Sequence, residues 1–77
     1  MEIKTKLGLR IKAIRETSGM SQKDLAYSAD LDRSYIASVE SGQRNVSIVN
    51  IEKIATALGV SIKEFFSDGS FEEKNDF

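Results

Sequence analysis

The stretch LDRSYIASVESGQRNVS, residues 31–47, holds the side chains best able to do chemistry in this sequence. Arg33 stands in the first turn of a helix, where the positive end of the helix dipole disfavours a cation. A negative partner outside the chain would offset that cost. The same helix presents Ser34, Ala37, Ser38 and Ser41 at spacings of three and four, a face from which almost nothing projects. A guanidinium that donates two parallel hydrogen bonds, set beside a bare surface that permits close approach, suits the edge of a guanine in the major groove of DNA. Catalysis finds no such support. The chain has no Cys and no His, and no carboxylates cluster as an acid–base pair. The expectation is therefore no enzyme, no metal and no cofactor.

The elements that must position this helix can be read from caps and periodicity, and they make the chain all-α. The first helix is predicted over about Ile3 to Ser18, with Leu7, Ile11 and Ile14 on one face and Gly19 as its C-cap. Ser21 and Asp24 form a capping box that opens a second helix over about Gln22 to Ala29. A turn through Asp30, Leu31 and Asp32 follows, with Asp32 as N-cap of the third helix, which ends near Ser41 ahead of Gly42. Ser47 caps a fourth helix over about Ile48 to Leu58, and Ser61 with Glu64 caps a short fifth one holding Phe65 and Phe66. The residues after Ser67, DGSFEEKNDF, read as a polar, acidic, frayed tail over 68–77. No stretch alternates as a strand.

Two short helices joined by a tight turn, the second with a small outward face, constitute a helix-turn-helix. Leu25, Ala26, Ala29, Leu31, Ile36 and Val39 supply its apolar seam, with Ala26 predicted at the closest approach. The charge distribution agrees with a DNA partner although the formal net charge is −1. Residues 1–47 carry eight Lys/Arg against six Asp/Glu, a balance of +2, and residues 48–77 carry three against six, a balance of −3. Cations thus gather in the half that contains the motif, where phosphate contacts would need them.

Position assigns further roles. Gln22 opens the second helix, where its amide and the free backbone N–H groups can hold a phosphate oxygen. Arg44 and Asn45 occupy the loop after the third helix, flanking the groove, although Asn45 serves equally as a turn former. Lys23 and Ser41, and more weakly Arg10 and Lys12, are further candidates for the DNA backbone. Tyr35 can pack its ring beside the helix while its hydroxyl reaches a base or phosphate. For Arg33 the alternative is an ion pair with Asp30 or Asp32. Ile48, Ile51, Ile54, Leu58, Val60, Ile62, Phe65 and Phe66 exceed what one small core can absorb. Part of that set, with Ile48, Val49, Phe65 and Phe66 as the candidates, is expected to form a dimer face, and a chain this short gains stability from a partner. No secretory h-region or long apolar run appears, so a cytoplasmic setting with no membrane association is expected.

Over residues 7–66 the sequence resembles the helix-turn-helix family of phage repressors, Cro and their bacterial relatives. The match rests on Gln22, Leu25-Ala26, the triad Leu31, Ile36 and Val39, then Glu40-Ser41-Gly42 and IEKIATALGVSIKEFF. The family's usual turn glycine is Asp30 here, a residue that tolerates the left-handed region better than most. Within DRSYIASVESGQRNVSI the sequence looks most like the controller proteins of restriction-modification systems. Asp32, Arg33, Tyr35, Ile36, Glu40, Gly42, Arg44, Asn45 and Ser47 stand in place, while Ser34 and Ala37 replace the usual Thr and Ser.

This resemblance implies a lambda-repressor-like domain over residues 1–67, with the helix-turn-helix at about 22–41 and dimerisation helices at about 48–66. It implies that Arg33, Ser34, Ala37 and Ser38 face bases, a set that Tyr35 joins on its own chemistry, and that Glu40 pairs structurally with Arg15. The function implied is a dimeric regulator that binds palindromic operators and governs its own gene and a restriction endonuclease gene. A separate hypothesis, drawn from charge and not from the resemblance, is that the acidic fourth helix and tail offer a surface to RNA polymerase. A phage-type repressor, or an antitoxin that also binds a toxin, is the competing reading.

Overall fold

The computed structural model describes residues 2–72 and contains five α-helices, with no strand among those residues. They are α1 (Ile3–Thr17), α2 (Gln22–Ala29), α3 (Arg33–Glu40), α4 (Ile48–Ala57) and α5 (Ile62–Phe66), followed by a single 3₁₀ turn at Gly69–Phe71. The boundaries follow local chemistry. Ser21 and Asp24 make the reciprocal pair of capping hydrogen bonds, as do Ser61 and Glu64, and Ser47 accepts from the Asn50 backbone N–H. These bonds satisfy donors that the first helical turn otherwise leaves unpaired. The Ser21 backbone N–H, and then its hydroxyl, hold the Asp24 carboxyl below the usual range. The contribution of this cap is therefore complete above pH of about 4 and is lost as the pH falls through the lowered value.

Asp32 occupies the N-cap position of α3, yet its side chain makes no capping hydrogen bond. Asp30 closes α2 in the left-handed conformation, at φ 57° and ψ 49°, so the chain turns sharply at a residue that tolerates this region better than most.

The core is a single cluster. Leu7 and Ile11 of α1 meet Leu25, Ala26 and Ala29 of α2, Ile36 and Val39 of α3, Ile54, Ala55 and Leu58 around α4, and Phe65 of α5. Ala26 is buried at the α2–α3 seam, and α1 runs close against α3, where a methyl group on Gly8 would sit 2.5 Å from the Val39 carbonyl oxygen. One expectation changes here. Phe65 is no dimer-face residue, because it is fully buried inside the chain.

The segment after Ser67 also differs from a frayed tail. The Asp68 carboxylate accepts from the Ser70 backbone N–H and hydroxyl, and the resulting turn sets the Phe71 ring 5.0 Å from that of Phe66. Residues 73–77 of the expected tail lie outside the described residues.

Candidate nucleic-acid interface

The orientation of α3 is fixed by a buried clamp. Arg15 of α1 donates from Nε to Glu40 Oε2 at 2.7 Å and from Nη2 to Glu40 Oε1 at 3.0 Å, a bidentate pair reaching across 25 residues. Its Nη1 donates to the Met20 carbonyl at 2.8 Å, tying the α1–α2 turn to the same group. Both side chains are buried. The Glu40 hydrogen bonds raise the Arg15 guanidinium above its ordinary range, outweighing the opposing effect of burial, so the cation persists at every working pH. Gln22 joins the clamp by donating its amide to Glu40 Oε1 at 3.1 Å. One side chain at the start of α2 is thereby locked to the end of α3. The second N–H of the amide makes no hydrogen bond among the described residues, so Gln22 is both a strut and a donor.

The outward side of α3 divides into two halves. Arg33 and Ser34, at its N-terminal end, are exposed, and no hydrogen bond or ion pair engages either of them among the described residues. The ion pair of Arg33 with Asp30 or Asp32 is not formed. Ala37 lies half-buried on the same side, offering only a methyl.

The C-terminal half is committed to internal contacts. The Ser38 hydroxyl donates to the Tyr35 carbonyl at 2.8 Å and accepts from Arg44 Nε at 3.1 Å, leaving a single lone pair. The Arg44 guanidinium lies 5.4 Å from the centre of the Tyr35 ring, a cation–π contact. Ser41 donates its hydroxyl to the Ser38 carbonyl. The Tyr35 hydroxyl accepts from Asn50 Nδ2 at 3.0 Å, which leaves its own proton free to donate. Lys23 and Asn45 are exposed near the two ends of this surface.

A helix held this firmly by a buried Arg–Glu–Gln clamp, with an unengaged guanidinium at its leading end, is the geometry of a recognition helix. The helix-turn-helix family profile matches residues 11–65. The chain is 47% identical over 68 residues to the control protein C.MunI of a Mycoplasma species, covering 87% of this chain and 92% of that one. The chain belongs to the restriction-modification controllers of the helix-turn-helix family.

Solved structures agree. The controller superposes on C.AhdI from Aeromonas hydrophila with a TM-score of 0.79 and 51% identity, over 82% of this chain and 96% of that one. It superposes on C.Esp1396I, solved as a tetramer with its natural 35-base-pair operator, with a TM-score of 0.81 and 42% identity, over 86% and 87% of the two chains. The function class is that of a helix-turn-helix transcription regulator. No helix among the described residues is long and apolar enough to cross a membrane.

Two partnerships on this surface carry no legible signal in the controller's sequence. Asn50 looks like an ordinary first-turn residue of α4, and only the packing of α4 beside α3 brings it to Tyr35. Gln22 is legible as a donor at a helix start, but not as a partner of Glu40. Arg10, a weaker candidate for the DNA backbone, belongs elsewhere: its Nε and Nη2 donate to the Phe65 and Glu64 carbonyls at 2.7 and 2.9 Å, so it caps the C-terminus of α5. Of the residues assigned to a dimer face, Ile48 and Val49 are 68% and 59% exposed, while Phe66 is half-buried. Phe66 lines a hollow of about 200 Å³ together with Ile3, Leu7, Val46 and Ile51.

Proposed function

We propose that the protein binds a palindromic operator as a dimer and from it controls its own gene and that of a restriction endonuclease. The observation that carries this reading is the pairing of an exposed, unengaged Arg33–Ser34 edge with a helix that the Arg15–Glu40–Gln22 clamp cannot let rotate. A preoriented guanidinium can donate to guanine O6 and N7 without first breaking an internal contact. Arg33, Ser34, Tyr35, Ala37 and Ser38 then face bases. Gln22, Lys23, Ser41, Arg44 and Asn45 meet the phosphates on either side.

The committed contacts of Arg44 and Ser38 imply a sequence of events on the DNA. Arg44 leaves the Tyr35 ring and the Ser38 hydroxyl for a phosphate, which frees Ser38 for a base edge and leaves Tyr35 held by Asn50. Ile48, Val49 and Phe66 form the dimer face, within dimerisation helices spanning about 48–66 of a domain that covers residues 1–67. As with C.Esp1396I, solved as a tetramer on its operator, two dimers occupy one regulatory region. Glu52 of α4 and the acidic C-terminal residues offer RNA polymerase a surface, and the setting is the cytoplasm.

Footprinting on the DNA upstream of the protein's own gene tests the reading, with affinities measured across a salt series. Binding should weaken steeply with salt, with a log–log slope that reflects several phosphate contacts per subunit. A slope near zero removes DNA as the partner.

Arg33→Ala and Arg44→Ala then separate reading from anchoring. Loss of the Arg33 contact should cost about 1–3 kcal/mol and flatten the preference at one base pair per half-site. Arg44→Ala should lower affinity by a similar factor on every sequence and reduce the salt slope by about one contact. If Arg33→Ala weakens all operators alike, Arg33 anchors the backbone and the reading passes to Ser34, Tyr35 and Ser38.

A further inference from the structure

Arg10 makes contacts that a surface arginine on α1 has no local reason to make. It reaches across more than 50 residues of chain to donate to the last carbonyls of α5, at Phe65 and Glu64, with Nη1 standing 3.8 Å from Asp68 Oδ1. A cation at a helix C-terminus satisfies carbonyls that the helix leaves open and interacts favourably with the negative end of its dipole. The chain of contacts continues outward. Asp68, held on one oxygen by Arg10, uses the other to fold Ser70 into the 3₁₀ turn, which delivers Phe71 edge-on to Phe66. Phe66 in turn stands 4.9 Å from the buried Phe65 ring at an interplanar angle of 79°. The aromatic ledge formed by Phe66 and Phe71 therefore has two supports, the core on one side and the Arg10–Asp68 strut on the other. This ledge adjoins the apolar hollow of Ile3, Val46 and Ile51.

We infer that Arg10 is a positioning residue for self-association: it presents the Phe66–Phe71 ledge to a second copy of the chain without touching that copy. The inference rests on the dimer reading above and adds to it Phe71 as an interface residue and Arg10 as the group that holds it in place. An isolated phenylalanine in a polar C-terminal segment samples many rotamers and backbone states. Fixing it in advance removes an ordering cost that dimerisation otherwise bears.

Sedimentation equilibrium of the full chain tests this at a temperature well below melting, with circular dichroism verifying the fold of each variant. The wild type should be dimeric at micromolar concentration. Arg10→Ala and Phe71→Ala should each raise the dimer dissociation constant by about tenfold, the effect of losing one packed interface anchor. The double variant should be little weaker than Phe71→Ala alone, because Arg10 acts through that ring. Arg10→Lys, which keeps the charge but not the fork of donors, should fall between wild type and Arg10→Ala.

A monomeric wild type overturns the dimer reading and this inference with it. A dimeric wild type with unchanged dissociation in Arg10→Ala, or additive effects in the double variant, overturns the inference alone. Should Arg10→Ala fail to fold, Phe71→Ala and Asp68→Asn decide: weakened dimers support the strut, and undiminished ones refute it.

Discussion

Glu40→Ala is expected to destabilise the fold by about 3–5 kcal/mol, the cost of leaving one member of a buried ion pair without its partner. The residue accepts three hydrogen bonds, two from Arg15 and one from Gln22, and all three donors remain after truncation. The Arg15 guanidinium is buried, so water cannot fully replace the lost carboxylate. A chain of this size holds roughly 4–12 kcal/mol in total, so the variant loses a large share of its stability. Its melting midpoint should fall by at least about 12 °C, at about 4–8 °C per kcal/mol.

The attribution to an uncompensated charge has its own check. Arg15→Met combined with Glu40→Leu removes the pair entirely and should recover most of the loss, since apolar side chains of similar volume fill such sites well. Thermal melting followed by circular dichroism measures both variants. A loss below about 1 kcal/mol in Glu40→Ala would place the pair with ordinary surface salt bridges and refute the clamp.

Gly8→Ala is expected to destabilise by about 3 kcal/mol, the upper end of the usual cost of overpacking. Elsewhere in a helix the change stabilises by about 1 kcal/mol, because alanine loses less backbone freedom on folding. Here the added methyl would stand 2.5 Å from the Val39 carbonyl oxygen and 2.6 Å from that of Glu40. Both neighbours are backbone of α3, which cannot rotate aside as a side chain would. Relief requires α3 to move away from α1, and that motion stretches the Arg15–Glu40 hydrogen bonds at the same end of the helix. The variant should therefore lose operator affinity beyond what its unfolded fraction explains, since the recognition helix is displaced. Denaturant unfolding and operator titration on one preparation measure the two effects. Stability equal to wild type would mean that α1 and α3 separate freely and that α3 is not rigidly held.

The helices and their limits were legible because their causes are local. Ser21 with Asp24, and Ser61 with Glu64, bond to backbone groups three residues away, so spacing alone identifies them. The family resemblance places Asp30 in the left-handed turn, as the residue standing at the usual turn glycine, and its φ of 57° agrees. The small outward face of α3 follows from helical periodicity, and the resemblance of residues 32–47 to the controllers rests on contiguous residues.

What could not be read from local pattern was which of two alike residues meets which distant partner. Arg10 and Arg15 are the same residue type five positions apart on α1; the family resemblance assigns Arg15 to Glu40, as the structure has it, but nothing in the sequence assigns Arg10 to the end of α5. Phe65 and Phe66 are adjacent, yet one is fully buried and the other lies half-exposed beside Phe71. Gly8 looks like a weak helix former until α3 crosses it, and Asn50 looks like surface until Tyr35 arrives. Each of these outcomes depends on the rotation and separation of whole helices. Those are set by the packing of the entire core at once, whereas a cap, a turn or a periodic face is set within a few residues of chain.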